Sequence, residues 1–155
     1  MLGFNFPSLT LQISIGKSTL QSVKNFFEEK AVILISVILT TISALAFMTY
    51  YQNGLGLAYN DARSHLDIGR RVVEGLKPGL AQLGSVWLPL PHILMIPTVW
   101  NDFMWHSGLA GALVSMIAFI GTGLLIYKFL KMLGVGMLAR IIGVALNVAN
   151  INILY

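Results

Sequence analysis

The chain lacks cysteine altogether and has few charged residues. Of its 155 residues, 10% are charged and 56% are apolar, and the mean hydropathy is +0.78. The absence of cysteine excludes disulfides and thiolate-ligated metal sites. Because a soluble domain carries roughly 25% charged residues, this composition indicates a protein whose main solvent is lipid.

Three long apolar runs dominate the sequence. A helix that crosses the hydrocarbon core needs about 20 apolar residues, because only an internally bonded backbone is stable there. Residues 31–51 carry no charge, residues 108–129 contain only Lys128, and residues 135–155 contain only Arg140. This pattern predicts an all-α integral membrane protein with three transmembrane helices. We expect Arg140 to reach the interface by snorkelling.

The basic residues predict the orientation of these spans. Three lysines precede the first span, three basic residues lie in or beside the connection between the second and third spans, and four lie between the first two spans. In that order they are Lys17, Lys24, Lys30; Lys128, Lys131, Arg140; and Arg63, Arg70, Arg71, Lys77. By the positive-inside rule, we expect a plasma-membrane protein with a cytoplasmic N-terminus and an extracytoplasmic outer loop, residues 53–107. Scattered basic residues argue against nucleic acid as a partner.

The segments flanking the first span are predicted to lie along the membrane surface. Residues 1–30 form a cytoplasmic or interfacial segment in which residues 17–30 can form an amphipathic helix. In the outer loop, Asn60 or Asp61 can cap a helix that runs to about Glu74. Residue pairs of opposite charge at a spacing of four support that helix; they are Arg63–Asp67, Asp67–Arg71 and Arg70–Glu74. Residues 87–100 contain three prolines and predict a re-entrant or interfacial piece.

The outer loop also concentrates the side chains capable of chemistry. The candidates are Asp61, Arg63, His65, Arg70, Trp87, His92 and Asp102. Asp61 is either a helix cap or a general base, with Arg63 or Arg70 holding an anionic phosphate. His65 and His92 assist such a base or serve as interfacial hydrogen-bonding groups.

For Trp87 and Asp102, a structural role stands beside the functional one. Trp87 either anchors the loop or covers a sugar ring, and Asp102 either caps the helix entering the second span or takes part in catalysis. No tight metal-ligand spacing such as HExxH occurs, so no metal site is predicted, although a divalent cation stays open as a cofactor.

Three segments together resemble the GT-C membrane glycosyltransferases. YNDARSHLDIGRRVV at 59–73 and GSVWLPLPH at 84–92 resemble the first outer loop of that family, and NINILY at 150–155 resembles the end of its third span. The pattern is most similar to that of the protein O-mannosyltransferase and aminoarabinose transferase group. The resemblance covers roughly residues 30 to 155 and implies a GT-C-like N-terminal part at residues 31–155.

The resemblance implies an enzyme that transfers a sugar, with inversion, from a polyprenyl-phosphate carrier to an extracytoplasmic protein, lipid or glycan acceptor. It places the catalytic base on Asp61 and suggests Arg63, His65, Trp87 and His92 as cavity-lining residues. Members of that family have more spans and a second outer loop, so we expect this chain to need a C-terminal part and to be inactive alone. The alternative is a noncatalytic small membrane subunit that packs against partner helices through small residues; these are Gly108, Gly111, Ala112, Gly121 and Gly123.

Overall fold

The computed structural model describes the backbone of residues 8–83 and 87–150. Side chains are described for residues 22, 25, 26, 28–59, 61–83 and 87–150. Within these ranges every regular element is helical, as the sequence predicts. The helices are α1 (Ser8–Gln52), α2 (Asn60–Val73), α3 (Pro89–Val99), α4 (Asp102–His106), α5 (Leu109–Met132) and α6 (Met137–Val148), with a 3-10 turn at Leu80–Gln82. The chain divides into two units, one ending at Val37 and the other beginning at Ile38.

Two helical segments are long and apolar enough to cross a membrane, Glu28–Gln52 of α1 and the whole of α5. They correspond to the first two predicted spans. Helix α6 has 12 residues, or roughly 18 Å at 1.5 Å per residue, which is shorter than the roughly 30 Å hydrocarbon core. A third span over residues 135–155 is therefore not confirmed, and residues 151–155 lie outside the described ranges.

Helix α1 runs without interruption through the segment predicted as a separate interfacial helix. It begins at Ser8 and ends at Gln52, so residues 17–30 are part of the same helix as the first span. In that segment the sequence predicts an apolar side formed by Leu20, Val23, Phe26 and Phe27. Leu20, Val23 and Phe27 lie outside the described side chains. Phe26 is exposed, and the Lys30 ammonium lies 5.3 Å from its ring centre.

The outer-loop helices pack together against the start of α5. Their shared core consists of four buried residues, Leu66 of α2, Met95 and Val99 of α3, and Ala110 of α5. Full burial of a Leu, Met or Val side chain contributes about 1.5–3 kcal/mol, so these contacts are the main force that holds the loop as a folded layer. Helices α2 and α3 also meet at buried Gly69, where a Cβ would lie 3.7 Å from the His92 carbonyl oxygen, an ordinary van der Waals contact.

Helix α2 begins at Asn60, so both residues predicted as possible caps, Asn60 and Asp61, lie inside the helix. Tyr59 is the N-cap residue and makes no side-chain capping bond, so Asn60 and Asp61 belong to the first turn and neither caps the helix. A carboxylate in the first turn still interacts favourably with the partial positive charge of the helix N-terminus. The cap prediction for Asp102 is also wrong, since Asn101 is the N-cap of α4 and accepts a bond from the Met104 amide at 3.1 Å.

Arg140 folds back onto the connection between α5 and α6. Its side chain is buried, Nε donates to the Val135 carbonyl at 2.7 Å, and the guanidinium lies 5.7 Å from the ring centre of fully buried Tyr127. The side chain thus reaches from α6 back to the connection that precedes this helix. That direction is the one snorkelling requires, and snorkelling itself stays a prediction.

Candidate functional site

A cavity of about 380 Å³ lies between the end of α1, the following loop, α2, α3 and the start of α5. Its walls are mostly apolar. They are formed by Ser43, Ala46, Phe47, Tyr50, Leu55, Gly56, Leu57, Tyr59, Ala62, His65, Leu66, Pro91, Met95, Gly108, Gly111, Ala112, Val114, Ser115, Met116 and Phe119. A volume of this size suits a small-molecule ligand.

Gly108 allows the loop after α1 to lie against the start of α5 and so to close one side of the cavity. Gly108 has a left-handed backbone with φ of +79°, and a Cβ at this position would lie 3.1 Å from both the Gly56 carbonyl oxygen and a Leu57 methyl group. A residue with a side chain would be strained there and would push the loop away. Gly108 thus fixes how closely the loop approaches the start of α5.

Three of the predicted site residues form one aromatic group at the cavity. Nδ1 of His65 lies 2.8 Å from Nε2 of His92, and the Trp87 ring packs against His65 with a centroid distance of 4.7 Å and an interplanar angle of 61°. His65 is half-buried and lines the cavity, whereas His92 is completely buried behind it. This arrangement joins α2 to α3 by a bond between residues 27 positions apart.

The pKa of His92 is lowered. The main cause is burial, which disfavours the imidazolium, and the second is the charge that neighbouring His65 can carry; the Leu88 carbonyl acts in the opposite direction. His92 is therefore neutral near pH 7. Nδ1 of His92 is buried and has no complete hydrogen bond within the part of the chain that the structure describes.

A second group of predicted site residues surrounds Trp105. The guanidinium carbons of Arg63 and Arg70 lie 3.8 Å and 4.2 Å from the centre of its ring, and Trp105 Nε1 donates to Asp67 at 3.0 Å. Asp67 also pairs with Arg63 at 3.2 Å. The indole therefore lies against two of the three arginines of α2 and is bonded to the Asp67 carboxylate.

Arg70 connects α2 to the start of α4. It donates to the Asp102 carboxylate and pairs with Glu74 at 2.8 Å, and these bonds, that to Asp102 first, raise its pKa. Two of the three predicted charge pairs of α2 are thus confirmed. In the third, Arg71 bonds the Asp67 carbonyl at 3.2 Å and not its carboxylate.

The charge around the Trp105 group bears on phosphate binding. Two guanidiniums, of Arg63 and Arg70, are paired with three carboxylates, of Asp67, Glu74 and Asp102. The group therefore carries a local formal charge of 2 − 3 = −1. Nη1 of Arg70 is buried and has no hydrogen-bond partner among the described residues, so it presents no exposed donor to an anion.

Asp61 belongs to neither group. It is half-buried in the first turn of α2 and forms no hydrogen bond or ion pair with the described residues. Its neighbours Tyr59 and Ala62 line the cavity, although Asp61 itself does not. Asp61 and His65 are four residues apart and therefore lie on the same side of the helix.

Sequence reasoning missed the part that Trp105 plays. Asp67 was expected among the loop's polar side chains capable of chemistry and as a member of the charge ladder, but not as a partner of Trp105. The Trp105–Asp67 bond joins residues 38 positions apart. No local spacing could identify that bond. The only usable signal was the placement of Arg63, Asp67 and Arg70 on one face of α2. Such a face favours a partner that can contact the guanidiniums and donate a hydrogen bond to the carboxylate.

Comparisons with known proteins return nothing for this chain. No family model matches it, and neither a curated protein nor a solved structure shows significant similarity to it.

Proposed function

We propose that this chain is the N-terminal portion of a membrane glycosyltransferase that takes a sugar from a polyprenyl-phosphate carrier, with Asp61 as the general base. The observation that carries the proposal is the cavity beside Asp61. Its apolar walls suit an isoprenoid chain, and its polar residues at the end near α2, Tyr59 and His65, suit the sugar-phosphate end. The resemblance of residues 59–73 and 84–92 to the GT-C outer loop supplies the reaction class.

The chemistry needs an unengaged carboxylate near the donor. Asp61 takes the proton of an acceptor hydroxyl, the hydroxyl oxygen forms a bond to the anomeric carbon, and the bond from that carbon to the phosphate oxygen breaks. The polyprenyl phosphate leaves with the bonding electrons. Asp61 suits this role because none of the described residues engages its carboxylate.

Arg63 and Arg70 take a positioning part in this proposal. Their pairing with Asp67, Glu74 and Asp102 leaves no net positive charge to hold a phosphate. They fix α2 against Trp105, which in turn sets where Asp61 and His65 lie. The arginines are thus not expected to hold the donor phosphate, and the hydroxyls of the donor sugar are expected near Tyr59 and His65, which line the cavity.

The alternative of a noncatalytic subunit depends on small residues that are free to meet a partner helix. Three of the predicted ones pack within the chain: Gly108 against Leu57, Gly111 against Met95 and Leu66, and Gly123 against Leu39. Ala112 lines the cavity. Of this set only Gly121 has room for a side chain, because a Cβ added there would meet nothing within 4 Å in the parts of the chain described. The proposed enzyme therefore accounts better for these small residues.

Filling the cavity tests donor binding. The chain in lipid nanodiscs is irradiated with a photoactivatable polyprenyl-phosphate hexose, as wild type, as Ala112→Phe and as Ala118→Phe. Ala112 lines the cavity, whereas Ala118 is exposed on the same helix and provides the matched control. We expect labelling of wild type and of Ala118→Phe, and its loss in Ala112→Phe. Equal labelling of both variants contradicts the proposal.

Transfer itself is tested with Asp61→Asn, in membranes that contain this chain together with the polypeptide encoded immediately downstream. Glu29→Gln is the control, because Glu29 is an exposed carboxylate of α1 that lies outside the outer loop. We expect Asp61→Asn to abolish transfer of labelled hexose from the carrier and Glu29→Gln to retain it. Retained transfer in Asp61→Asn excludes this carboxylate as the base.

A further inference from the structure

The bond between His65 and His92 lies in the plane of both rings. The ring centroids are 5.0 Å apart, the planes differ by 24°, and the two nitrogens are 2.8 Å apart. Stacked rings cannot bring their atoms closer than roughly 3.5 Å. The two imidazoles therefore meet end to end, with one proton shared between Nδ1 of His65 and Nε2 of His92.

The surroundings of His92 determine whether the shared proton is carried by His65 Nδ1 or by His92 Nε2. His92 is fully buried and neutral, so it carries a single N–H. Leu88 precedes His92 by four residues at the start of α3, the spacing at which His106 Nδ1 meets the Asp102 carbonyl at 2.8 Å. The Leu88 carbonyl accordingly acts on His92, although it completes no hydrogen bond, and since Nε2 faces His65, this carbonyl is on the Nδ1 side. A buried lone pair facing a carbonyl is unfavourable, whereas an N–H facing it is favourable. The proton of His92 is accordingly on Nδ1, and Nε2 accepts from His65.

This tautomer leaves a hydrogen-bond acceptor of His65 at the cavity wall. When the ring proton of His65 is on Nδ1, its Nε2 is left as an acceptor, and no described residue engages that atom. His65 lines the cavity, and the Trp87 ring covers one side of it. The other ionisable groups of α2 nearby are Asp61, one turn earlier on the same side, and Arg63 and Asp67, which pair with each other.

We propose that His65 is the hydrogen-bond acceptor for a hydroxyl-bearing amphiphile whose apolar part fills the cavity, and that His92 is the positioning residue that keeps His65 Nε2 unprotonated. A ligand hydroxyl donates to Nε2, and if it gives up its proton, the imidazolium keeps its Nδ1 bond to His92. This inference does not depend on sugar transfer and holds for any hydroxyl ligand of this shape.

Nitrogen-15 NMR of the full chain, labelled on histidine and held in detergent micelles at neutral pH, tests the tautomer directly. We expect wild-type His65 to show a protonated Nδ1 and an unprotonated Nε2. In His92→Gln we expect a change in the His65 tautomer, while exposed His106, which bonds the Asp102 carbonyl through Nδ1, keeps its signals. A wild-type His65 protonated at Nε2 overturns the proposal, and that measurement needs no variant.

Ligand preference provides the second measurement, with dodecan-1-ol, dodecane and dodecyl phosphate as probes. We expect the alcohol to shift the His65 Nε2 resonance and to bind more tightly than the other two. His65→Phe, which keeps a ring but removes the acceptor, should weaken alcohol binding on the order of fivefold, as expected for one neutral hydrogen bond. Equal binding of dodecane, or a preference for dodecyl phosphate, contradicts an unprotonated acceptor at this position.

Discussion

At Gly123 a side chain on α5 would press on Leu39 of the first span, and replacement of this glycine by alanine tests that contact. A Cβ at residue 123 would lie 2.5 Å from one methyl carbon of Leu39 and 3.5 Å from the other. Leu39 is fully buried, so its side chain has little room to rotate away. Alanine at 123 therefore forces either the leucine into a poor rotamer or the two helices apart.

The magnitude follows from two opposed effects. Overpacking of a well-packed core by one carbon costs about 1–3 kcal/mol. Removing a glycine from the interior of a helix contributes about 0.5–1 kcal/mol in the favourable direction. Gly121→Ala provides the comparison, because it has the same helix effect and meets nothing within 4 Å in the described structure. The helix effect cancels between the two variants, so Gly123→Ala should be less stable than Gly121→Ala by about 1–3 kcal/mol.

The assay is reversible unfolding of the full chain in mixed micelles with increasing dodecyl sulfate, followed by tryptophan fluorescence. We expect Gly121→Ala to match or slightly exceed wild type and Gly123→Ala to fall below it. Leu39→Ala should relieve the clash, so that Gly123→Ala costs less in that background than in wild type. Equal free energies of unfolding for the two alanine variants would show that α5 and the first span do not meet at Gly123.

Three further predictions concern the outer loop. Burial lowers the pKa of His92, so as the pH falls the unfolded state binds this proton before the folded state does. The free energy of unfolding is therefore highest above about pH 6.5 and falls at lower pH. His92→Gln should make the free energy of unfolding depend less on pH between pH 7.5 and 5. Trp105→Phe removes the Nε1 bond to a half-exposed Asp67 and should lower the free energy of unfolding by about 1 kcal/mol, whereas Trp100→Phe, at an exposed ring, should change it less. Because the chain has no cysteine, Ser64→Cys and Leu133→Cys give single labelling sites, and we expect an impermeant maleimide to modify only the first in intact cells; modification of the second alone would reverse the predicted orientation.

The sequence predicts helices well where one local pattern determines them. The second apolar run, 108–129, corresponds to α5 at Leu109–Met132, and the predicted surface helix ending near Glu74 corresponds to α2 at Asn60–Val73. Proline is an exception: residues 87–100 were expected to be interrupted by three prolines, yet α3 runs unbroken from Pro89 to Val99 with Pro97 inside it. Pro89 and Pro91 lie in the first turn, where a missing N–H breaks no helical bond. Hydropathy alone could not show that α1 continues unbroken from Ser8, because it measures solvent preference and not where a helix begins.

The candidate site shows the same division between local and distant effects. Arg63–Asp67 and Arg70–Glu74 could be predicted, since a spacing of four residues on one helix is enough. The His65–His92 bond and the cavity depend on how α2 packs against α3. That packing depends on burial of Leu66 with its partners from other helices, which the order of residues in α2 does not reveal.

The residues of α2 that are proposed to act on the ligand and the residues that position this helix lie on separate faces. Asp61 and His65 lie on the side near the cavity, while Arg63, Asp67 and Arg70 lie on a different side that bonds or contacts Trp105. An α-helix is stiff over four turns, so a change at Trp105 that rotates or shifts α2 also displaces the Asp61 carboxylate and the His65 ring. Loss of function from a Trp105 substitution should therefore be accompanied by a changed His65 nitrogen resonance. Loss from Asp61→Asn should leave the Nδ1 proton of His65 and its bond to His92 in place, because none of the described groups links the carboxylate to that bond.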